Sequence, residues 1–384
     1  MKELSRIVEQ IKPSGIRKFF DLANTMEDVI SLGVGEPDFA TPWHICENAI
    51  YAMGNGKTHY TANRGLLELR KEIAKFHSEH YNQHYDPEKE ILVTVGGSEA
   101  IDIAMRALIN PGDEVILLDP NYVAYEPSVL LAQGIPVTIP LTKENDFKLT
   151  SQGLKDAITD KTKALIINFP SNPTGGVMTY EDYQEIVPII KESGIYVISD
   201  EIYAELSFDQ PFASLAQFEE VKDQIIVING FSKAFAMTGW RLGYALSNEV
   251  LSKAMTKIHQ YIIMSAPTAS QHAAIEALRN GYDDVLEMKE AYLQRRNFLV
   301  NRLNRMGLST NLPHGTFYVF ADIRPTGLSS EDFCNQLLQE QKVACVPGNA
   351  FGKSGEGFIR ISYAYSLDHI REACTRIEQF IKSL

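Results

Sequence analysis

The amino-acid sequence predicts an α/β protein with a mostly parallel central sheet in a larger domain and a smaller α+β domain after it. Between about residues 91 and 247, short apolar runs rich in β-branched residues alternate with amphipathic helical stretches. Continuous apolar strands separated by helices are typical of a parallel sheet that is covered on both faces. After about residue 285 the pattern changes to a long charged helix followed by strand-like segments, which indicates a second unit.

The elements of both units follow from these patterns. The strands predicted for the central sheet are residues 91–97, 113–120, 136–141, 163–170, 195–201, 224–230 and 241–247. The segments SEAIDIAMRALI and YEDYQEIVPIIKES, which lie between strands, have helical spacing of their apolar residues. In the second unit TFYVFADI, VACVPG and FIRISYA are predicted strands. Residues 1–30 are interpreted as a short helical arm that leads into the extended segment VISLGVGEPDF.

A chain of 384 residues is long enough for two domains. We assign residues 1–44 to an N-terminal arm and the first part of the small domain, 45–284 to the large domain, and 285–384 to the small C-terminal domain. The helical pattern after residue 250 carries no strong break, so the second boundary is placed where the composition changes.

Charge and composition exclude several classes of function. The net charge of −13 argues against nucleic acid as a partner, because phosphate-binding surfaces need an excess of Lys and Arg. The start of the chain lacks a signal-peptide pattern, no apolar run is long enough to cross a bilayer, and the four cysteines are scattered. We therefore expect a cytoplasmic protein without membrane contact. The spacing of His77, His80 and His84 indicates a solvated helix end, and we expect no metal site.

Polar residues collect where the predicted strands end, and ligands of open α/β sheets bind beyond those ends. These groups are Gly96-Gly97-Ser98, Pro120-Asn121-Tyr122, Asn172-Pro173-Thr174-Gly175, Asp200-Glu201-Ile202-Tyr203 and Phe231-Ser232-Lys233. Each has a simpler structural interpretation when it is taken alone: a tight turn for the glycines, a turn for Asn172-Pro173 and a cap for Asp200. Lys233 is different, because a lysine at the end of an apolar strand needs a partner, a lowered pKa or a covalent bond.

The stretch GFSKAFAMTGWRLG at residues 230–243 resembles the lysine signature of class I/II aminotransferases, which are fold-type I pyridoxal-phosphate enzymes. Further segments resemble family motifs in the expected order: SLGVGEPDFATP, HYTANRGLLELR, VTVGGSEAI, NFPSNPTGG, SDEIYAEL, VPGNAFG and FIRISYA. The chain looks most similar to the bacterial and archaeal branch that contains aromatic-acid, aspartate and alanine-type enzymes. It departs from the signature at Gly230, where the family often has Ser.

The resemblance implies pyridoxal 5′-phosphate as cofactor and Lys233, Asp200 and Tyr203 as catalytic residues. Lys233 forms a Schiff base with the cofactor and moves the substrate proton, while Asp200 pairs with the ring nitrogen. Asn172 and Tyr203 bind the ring oxygen. The remaining implied contacts are Tyr122 on the ring face; Gly97, Ser98, Ser232 and Arg241 at the phosphate; Tyr60 at the phosphate from a second subunit; Arg360 at the substrate α-carboxylate; and Gly35, Asn172 and Tyr122 near the substrate.

The implied activity moves an amino group from an L-amino acid to a 2-oxo acid such as 2-oxoglutarate, in a homodimer with shared active sites. Dicarboxylate-specific relatives carry a second Arg close to the position of Tyr261, and a phenol there favours aromatic or neutral amino acids. His259, Arg64 or a residue near 17–20 could set the specificity instead. Aspartate-, alanine- or diaminopimelate-type transfer and C–S lyase chemistry stay open as alternatives.

Overall fold

A computed structural model describes residues 2–11 and 26–384 of the chain. The helices are α1 (Arg6–Gln10), α2 (Trp43–Gly54), α3 (Leu67–Tyr81), α4 (Gly96–Leu108), α5 (Tyr125–Leu131), α6 (Ser151–Ala157), α7 (Tyr180–Ser193), α8 (Glu249–Ile262), α9 (Thr268–Asn280), α10 (Tyr282–Arg305), α11 (Ser330–Gln341) and α12 (Leu367–Ser383). Within the described ranges, none of the helices is both long and apolar enough to span a membrane.

The strands are β1 (Ile30–Ser31), β2 (Ile91–Thr94), β3 (Glu114–Asp119), β4 (Ile135–Pro140), β5 (Thr162–Asn168), β6 (Tyr196–Asp200), β7 (Ile225–Gly230), β8 (Gly243–Leu246), β9 (Tyr318–Asp322), β10 (Val343–Ala344), β11 (Val346–Pro347) and β12 (Phe358–Ser362). Each segment predicted for the central sheet overlaps one strand, and β4 and β5 begin one residue before the predicted start. Strand β2 ends at Thr94 rather than at residue 97, because helix α4 already begins at Gly96.

The central sheet has seven strands in the order β2-β8-β7-β6-β5-β3-β4. Strands β3 to β7 are parallel, whereas β8 is antiparallel to both of its neighbours. Successive residues of β5, Leu165 and Ile166, belong to two different apolar clusters, since neighbouring side chains of a strand point to opposite faces. The predicted mostly parallel sheet with two covered faces is confirmed.

A second, antiparallel sheet has the order β11-β12-β9 and lies on an apolar cluster of its own. Strand β1 pairs in parallel with β10, so that the segment around Ile30 joins the C-terminal part of the chain. Helix α10 crosses residue 285 without interruption. The domain boundaries that we assigned stay a prediction.

The structure corrects two sequence interpretations. The helical pattern after residue 250 does break: α8 ends at Ile262 and α9 begins at Thr268, with Met264 at a φ of +72° between them. The expectation of a solvated His77 is also wrong, because this ring is fully buried. Its nitrogens lie 2.8 Å from the Gln83 side-chain oxygen and 2.9 Å from the Tyr244 hydroxyl.

The N-terminal arm is described only in part. Helix α1 covers Arg6–Gln10, and the extended segment contains the short strand β1. The positions near 17–20 that we considered for the substrate pocket lie outside the described residues.

Candidate active site

The carboxyl ends of the parallel strands open into a cavity of about 690 Å³. Among the residues that line it are all the predicted site residues of this chain except Tyr60: Gly35, Gly97, Ser98, Tyr122, Asn172, Asp200, Tyr203, Ser232, Lys233, Arg241 and Arg360. They come from segments next to the ends of the central strands, from the loop after β1 and from the second sheet. The fold therefore brings the predicted residues together, while their individual roles stay predictions.

Lys233 follows strand β7 and points its amine into this cavity. Its Nζ donates a hydrogen bond to the Gly35 carbonyl oxygen and lies 5.8 Å from the centre of the Tyr203 ring. Burial, together with the positive charge of Arg360, lowers the pKa of the Lys233 amine to about 8. Near neutral pH a fraction of the amine is therefore uncharged, which is the form that reacts with carbonyl carbons.

Asp200 is the last residue of β6, and its carboxylate is buried. The Tyr125 hydroxyl donates to Oδ2 at 2.7 Å, and the Ile202 backbone N–H donates to Oδ1 at 3.2 Å. Burial nevertheless raises the pKa of Asp200 above its usual value. A buried carboxylate at the cavity wall is suited to hold a cationic N–H group, which would return its pKa towards the normal range.

A hydrogen-bonded chain connects strand β5 with Arg360. The side-chain amide of Asn168 donates to the Asp200 backbone oxygen at 2.8 Å, and its oxygen accepts from the Asn172 N–H at 3.0 Å. The Asn172 side-chain oxygen then accepts from Arg360 Nη1 at 2.9 Å. Asn172 is thereby fixed through both its backbone N–H and its side-chain oxygen.

Arg360 lies on β12 in the second sheet and is almost fully buried. Its Nη2 donates to the Gly33 carbonyl oxygen, while its buried Nε has no hydrogen-bond partner in the part of the chain that the structure describes. A buried guanidinium with an unused N–H is suited to bind a carboxylate through two parallel hydrogen bonds.

The N-terminus of α4 lies at another wall of the cavity. Gly96 has a φ of +73°, and Arg241 has the unusual value of +51° for a residue with a side chain. Arg241 Nη1 donates to the Thr238 carbonyl oxygen at 3.1 Å. The helix N-terminus, the Ser98 and Ser232 hydroxyls and this guanidinium together form a suitable site for a phosphate dianion.

Tyr60 and Tyr261 lie outside the cavity of their own chain. Their exposed fractions are 80% and 87%. The Asn63 side-chain amide donates to the Met264 carbonyl oxygen at 2.8 Å, so the segments that carry the two tyrosines are adjacent on one surface. Tyr60 therefore does not contact the cavity of its own chain.

The other residues considered for substrate specificity are engaged elsewhere. His259 is fully buried, and its Nδ1 lies 2.6 Å from the Glu99 carboxylate. Arg64 donates to the Ser252 hydroxyl at 2.6 Å and to the Lys89 carbonyl oxygen at 2.8 Å. Neither lines the cavity.

Several lining residues were missed in the sequence, among them Asn168, Tyr125 and Tyr318. Asn168 ends strand β5, and Tyr125 follows Tyr122 by about one helical turn, so both positions offered a signal. The Tyr122 and Tyr125 rings pack edge to face, with centroids 5.5 Å apart. Tyr318 offered none, because its position depends on how β9 pairs with β12.

Comparison with known proteins identifies the family. The family model for aminotransferase class I and II matches residues 27–377. The protein YugH of Bacillus subtilis (strain 168) is 52% identical over 378 residues, which are 98% of each chain. The aspartate aminotransferase of Pyrococcus abyssi (strain GE5 / Orsay) is 45% identical over 382 residues, covering 99% of this chain and 98% of that protein.

A solved structure agrees with this result. The aromatic aminotransferase from Pyrococcus horikoshii OT3 superposes with a TM-score of 0.91 at 43% identity, covering 96% of this chain and 99% of that one. Both the sequence and the fold thus match over nearly the whole chain. The protein belongs to the class I and II aminotransferases, which are fold-type I enzymes that transfer amino groups.

Proposed function

We propose that the chain binds pyridoxal 5′-phosphate through Lys233 and uses it to move an amino group from an L-amino acid to a 2-oxo acid. The observation that carries this proposal is the convergence of Lys233, Asp200 and Arg360 on one cavity. An amine with a lowered pKa, a buried carboxylate and a buried guanidinium are the groups that an imine link, a ring nitrogen and a substrate carboxylate require.

The residues present fit the cofactor. The N-terminus of α4 and the Arg241 guanidinium suit its phosphate, and the Asp200 carboxylate suits its ring nitrogen. The ring oxygen would be held by Asn172 and Tyr203, and the ring face would lie against Tyr122. The unused Nε of Arg360 supports a carboxylate ligand beside them.

When bound, pyridoxal phosphate supplies a conjugated ring that accepts electrons from the substrate Cα. Once the substrate amine has replaced Lys233 in the bond to the cofactor, the released Nζ would take the proton from Cα and deliver it to the C4′ carbon of the cofactor. The lowered pKa of this amine suits it to that role near neutral pH. Asp200 stays ionised and keeps the ring nitrogen protonated. Arg360 fixes the α-carboxylate, so that the Cα proton faces Lys233.

For the amino donor we propose an aromatic or neutral amino acid, with 2-oxoglutarate as the acceptor. Several cavity walls are apolar or aromatic, among them Val34, Ile101, Val123, Ile202 and Tyr318. Among the described lining residues, the cationic side chains are Lys233, Arg241 and Arg360, and each already has a role in this proposal. A further guanidinium for a donor side-chain carboxylate is not among them.

We also propose that two copies of the chain form the working enzyme. Ser98 and Arg241 at the phosphate end are exposed in the single chain, as are Tyr60 and Tyr261 on their surface. A dimer in which Tyr60 of one copy covers the phosphate end of the other would bury both sets of residues. In that arrangement Tyr261 would approach the substrate side of the neighbouring cavity.

All four cysteines are free thiols, and three of them are buried. Free thiols agree with the reducing compartment expected from their spacing in the sequence. We therefore propose a cytoplasmic location.

Borohydride reduction tests the covalent part of the proposal. The purified protein is incubated with pyridoxal phosphate, reduced and mapped by mass spectrometry, beside Lys233→Ala and the control Lys289→Ala, which removes another partly buried lysine. We expect a stable adduct on Lys233 in the wild type and in the control. Absence of that adduct, or turnover of Lys233→Ala at the wild-type rate, would refute the assignment.

The substrate part is tested separately with a panel of amino donors and 2-oxoglutarate, measuring the glutamate formed. We expect Tyr or Phe to react better than Asp. A preference for Asp would show that the donor proposal is wrong, and release of ammonia and pyruvate from cystathionine would indicate a C–S lyase.

A further inference from the structure

Tyr318, the first residue of β9, contacts two groups of the site at once. It is 1% exposed, and it lines the cavity. Its hydroxyl oxygen lies 3.1 Å from that of Tyr203, and the face of its ring lies 4.2 Å from the Arg360 guanidinium carbon. We propose that Tyr318 is a positioning residue that supports the Tyr203 phenol through its hydroxyl and orients Arg360 through its ring. This inference rests on the proposed function of the site.

The position of the Tyr318 hydroxyl depends on a neighbouring glycine, Gly35. A Cβ atom at Gly35 would overlap the Tyr318 hydroxyl oxygen. The carbonyl oxygen of the same glycine accepts the hydrogen bond from Lys233. The backbone at Gly35 therefore lies between the Tyr318 hydroxyl and the reactive amine, and a residue with a side chain there would displace one of them.

The direction of the hydroxyl–hydroxyl bond follows from the number of protons. Tyr203 has a single hydroxyl proton, and either of the two oxygens could be the donor in the hydrogen bond between them. If Tyr203 gives its proton to the ring oxygen of the cofactor, Tyr318 has to donate to Tyr203. A phenol that accepts one hydrogen bond becomes a stronger donor in the next, so Tyr318 strengthens the contact made by Tyr203.

The charged groups around this pair keep both phenols protonated. Burial raises the pKa of Tyr318, with Arg360 on β12 acting in the opposite direction, and burial and Tyr318 raise that of Tyr203 well above its normal value. Asp200 at the end of β6 raises the pKa of Tyr203 further, and Lys233 Nζ lies 5.8 Å from the Tyr203 ring centre. The two hydroxyls therefore act as hydrogen-bonding groups and not as acids.

The contact with Arg360 follows from strand register. Arg360 is paired with Phe320, so Tyr318 is its diagonal neighbour on the same face of the sheet. The Phe351 ring also contacts the guanidinium, at 4.7 Å. The two aromatic rings restrict the plane of the guanidinium, and that plane decides whether a carboxylate can bind with both oxygens.

A pair of substitutions separates the two contacts. Tyr318→Phe removes the hydroxyl and keeps the ring, whereas Tyr318→Leu removes both. Tyr292→Phe is the matched control, because Tyr292 is buried in the same apolar cluster and its hydroxyl has no partner among the described residues. The readout is the pH titration of the visible absorbance of the cofactor bound to Lys233.

We expect Tyr318→Phe to raise the titration midpoint by about half a pH unit, since one neutral hydrogen bond to Tyr203 is lost. A weaker donor on the ring oxygen leaves more negative charge there, and that charge holds the proton of the Lys233 linkage more firmly. Tyr292→Phe keeps the wild-type midpoint. The KM for the amino donor should rise about fivefold in Tyr318→Leu, because the contact with the guanidinium is lost, and should change little in Tyr318→Phe.

Three results would overturn the inference. A midpoint of Tyr318→Phe equal to that of the wild type would show that the hydroxyl does not support Tyr203, and a lower midpoint would show that Tyr203 donates to Tyr318 instead. Equal KM values for Tyr318→Leu and the wild type would remove the role towards Arg360. If the wild type itself shows no visible band with the cofactor, it is the proposed function that fails.

Discussion

Replacing Tyr125 by Phe removes one hydroxyl and leaves the ring that packs against Tyr122. That hydroxyl donates to Asp200 Oδ2 at 2.7 Å, and both side chains are buried. Burial raises the pKa of Asp200, and the hydrogen bond from Tyr125 opposes this rise. The substitution therefore leaves a buried carboxylate with the Ile202 N–H as its remaining described donor.

The size of the effect depends on the charge of Asp200. A hydrogen bond to an ionised group contributes about 1.5–3 kcal/mol and one to a neutral group about 1 kcal/mol. The difference between the two corresponds to a further rise of the Asp200 pKa by about 0.4–1.5 units. Because the bond lowers a carboxyl pKa in the folded state, its contribution is present above that pKa and is lost as the pH falls through it. In the cofactor-free protein we expect Tyr125→Phe to lower the free energy of unfolding by about 2 kcal/mol at pH 8, and by about 1 kcal/mol once Asp200 is protonated.

Urea unfolding of the cofactor-free protein at a series of pH values measures this difference. Tyr292→Phe again serves as the control, since its buried hydroxyl has no partner among the described residues and its removal should cost nothing at any pH. A loss for Tyr125→Phe that stays constant from pH 8 into the acid range would refute the reasoning, because the bond would then not depend on an ionised Asp200.

Two further predictions concern other parts of the fold. Burial lowers the pKa of His77 to about 4, from a normal value of 6.5. Between these pH values the unfolded chain binds one more proton than the folded chain, so the free energy of unfolding rises by about 3 kcal/mol as the pH increases through them. In urea unfolding, His77→Gln should lose this rise with pH. Parallel slopes for the two proteins would contradict this. Gly96→Ala should weaken pyridoxal phosphate binding about tenfold, because the positive φ is unfavourable for Ala and the new Cβ would lie 2.9 Å from Arg241 Nη2. Equilibrium dialysis measures the affinity for pyridoxal phosphate and, for comparison, for pyridoxal, which lacks the phosphate. Gly54→Ala is the control, because a Cβ there meets no atom within 4 Å. Equal losses of affinity for both ligands would show that Gly96 does not act at the phosphate.

Much of the site could be predicted because its residues follow buried strands. An apolar run such as KALIINF marks a central strand without any tertiary information, and the first polar residue after such a run lies at the sheet edge where ligands bind. Asp200 and Lys233 were found in this way from single strands. The family motifs then identified Arg360 and Gly35, which are distant in the sequence from Asp200 and Lys233.

The residues that escaped prediction depend on contacts between elements. Tyr318 contacts Arg360 only because β9 and β12 pair in one particular register. His77 has polar neighbours in sequence, but its partner Tyr244 lies on β8. The burial of His77 could therefore not be predicted from the surrounding sequence. The break after Ile262 also depends on tertiary structure, since Met264 in the break accepts a hydrogen bond from the side chain of Asn63, which is distant in the sequence.

Position 241 illustrates how narrow the choice of amino acid at a functional position becomes when two independent demands coincide. Its left-handed backbone would be most easily satisfied by Gly or Asn, neither of which carries a positive charge. A Lys would restore the charge but would meet the same backbone penalty without the planar fork of Arg. In a mutational library of this protein we therefore expect position 241 to tolerate fewer replacements than its surface exposure suggests.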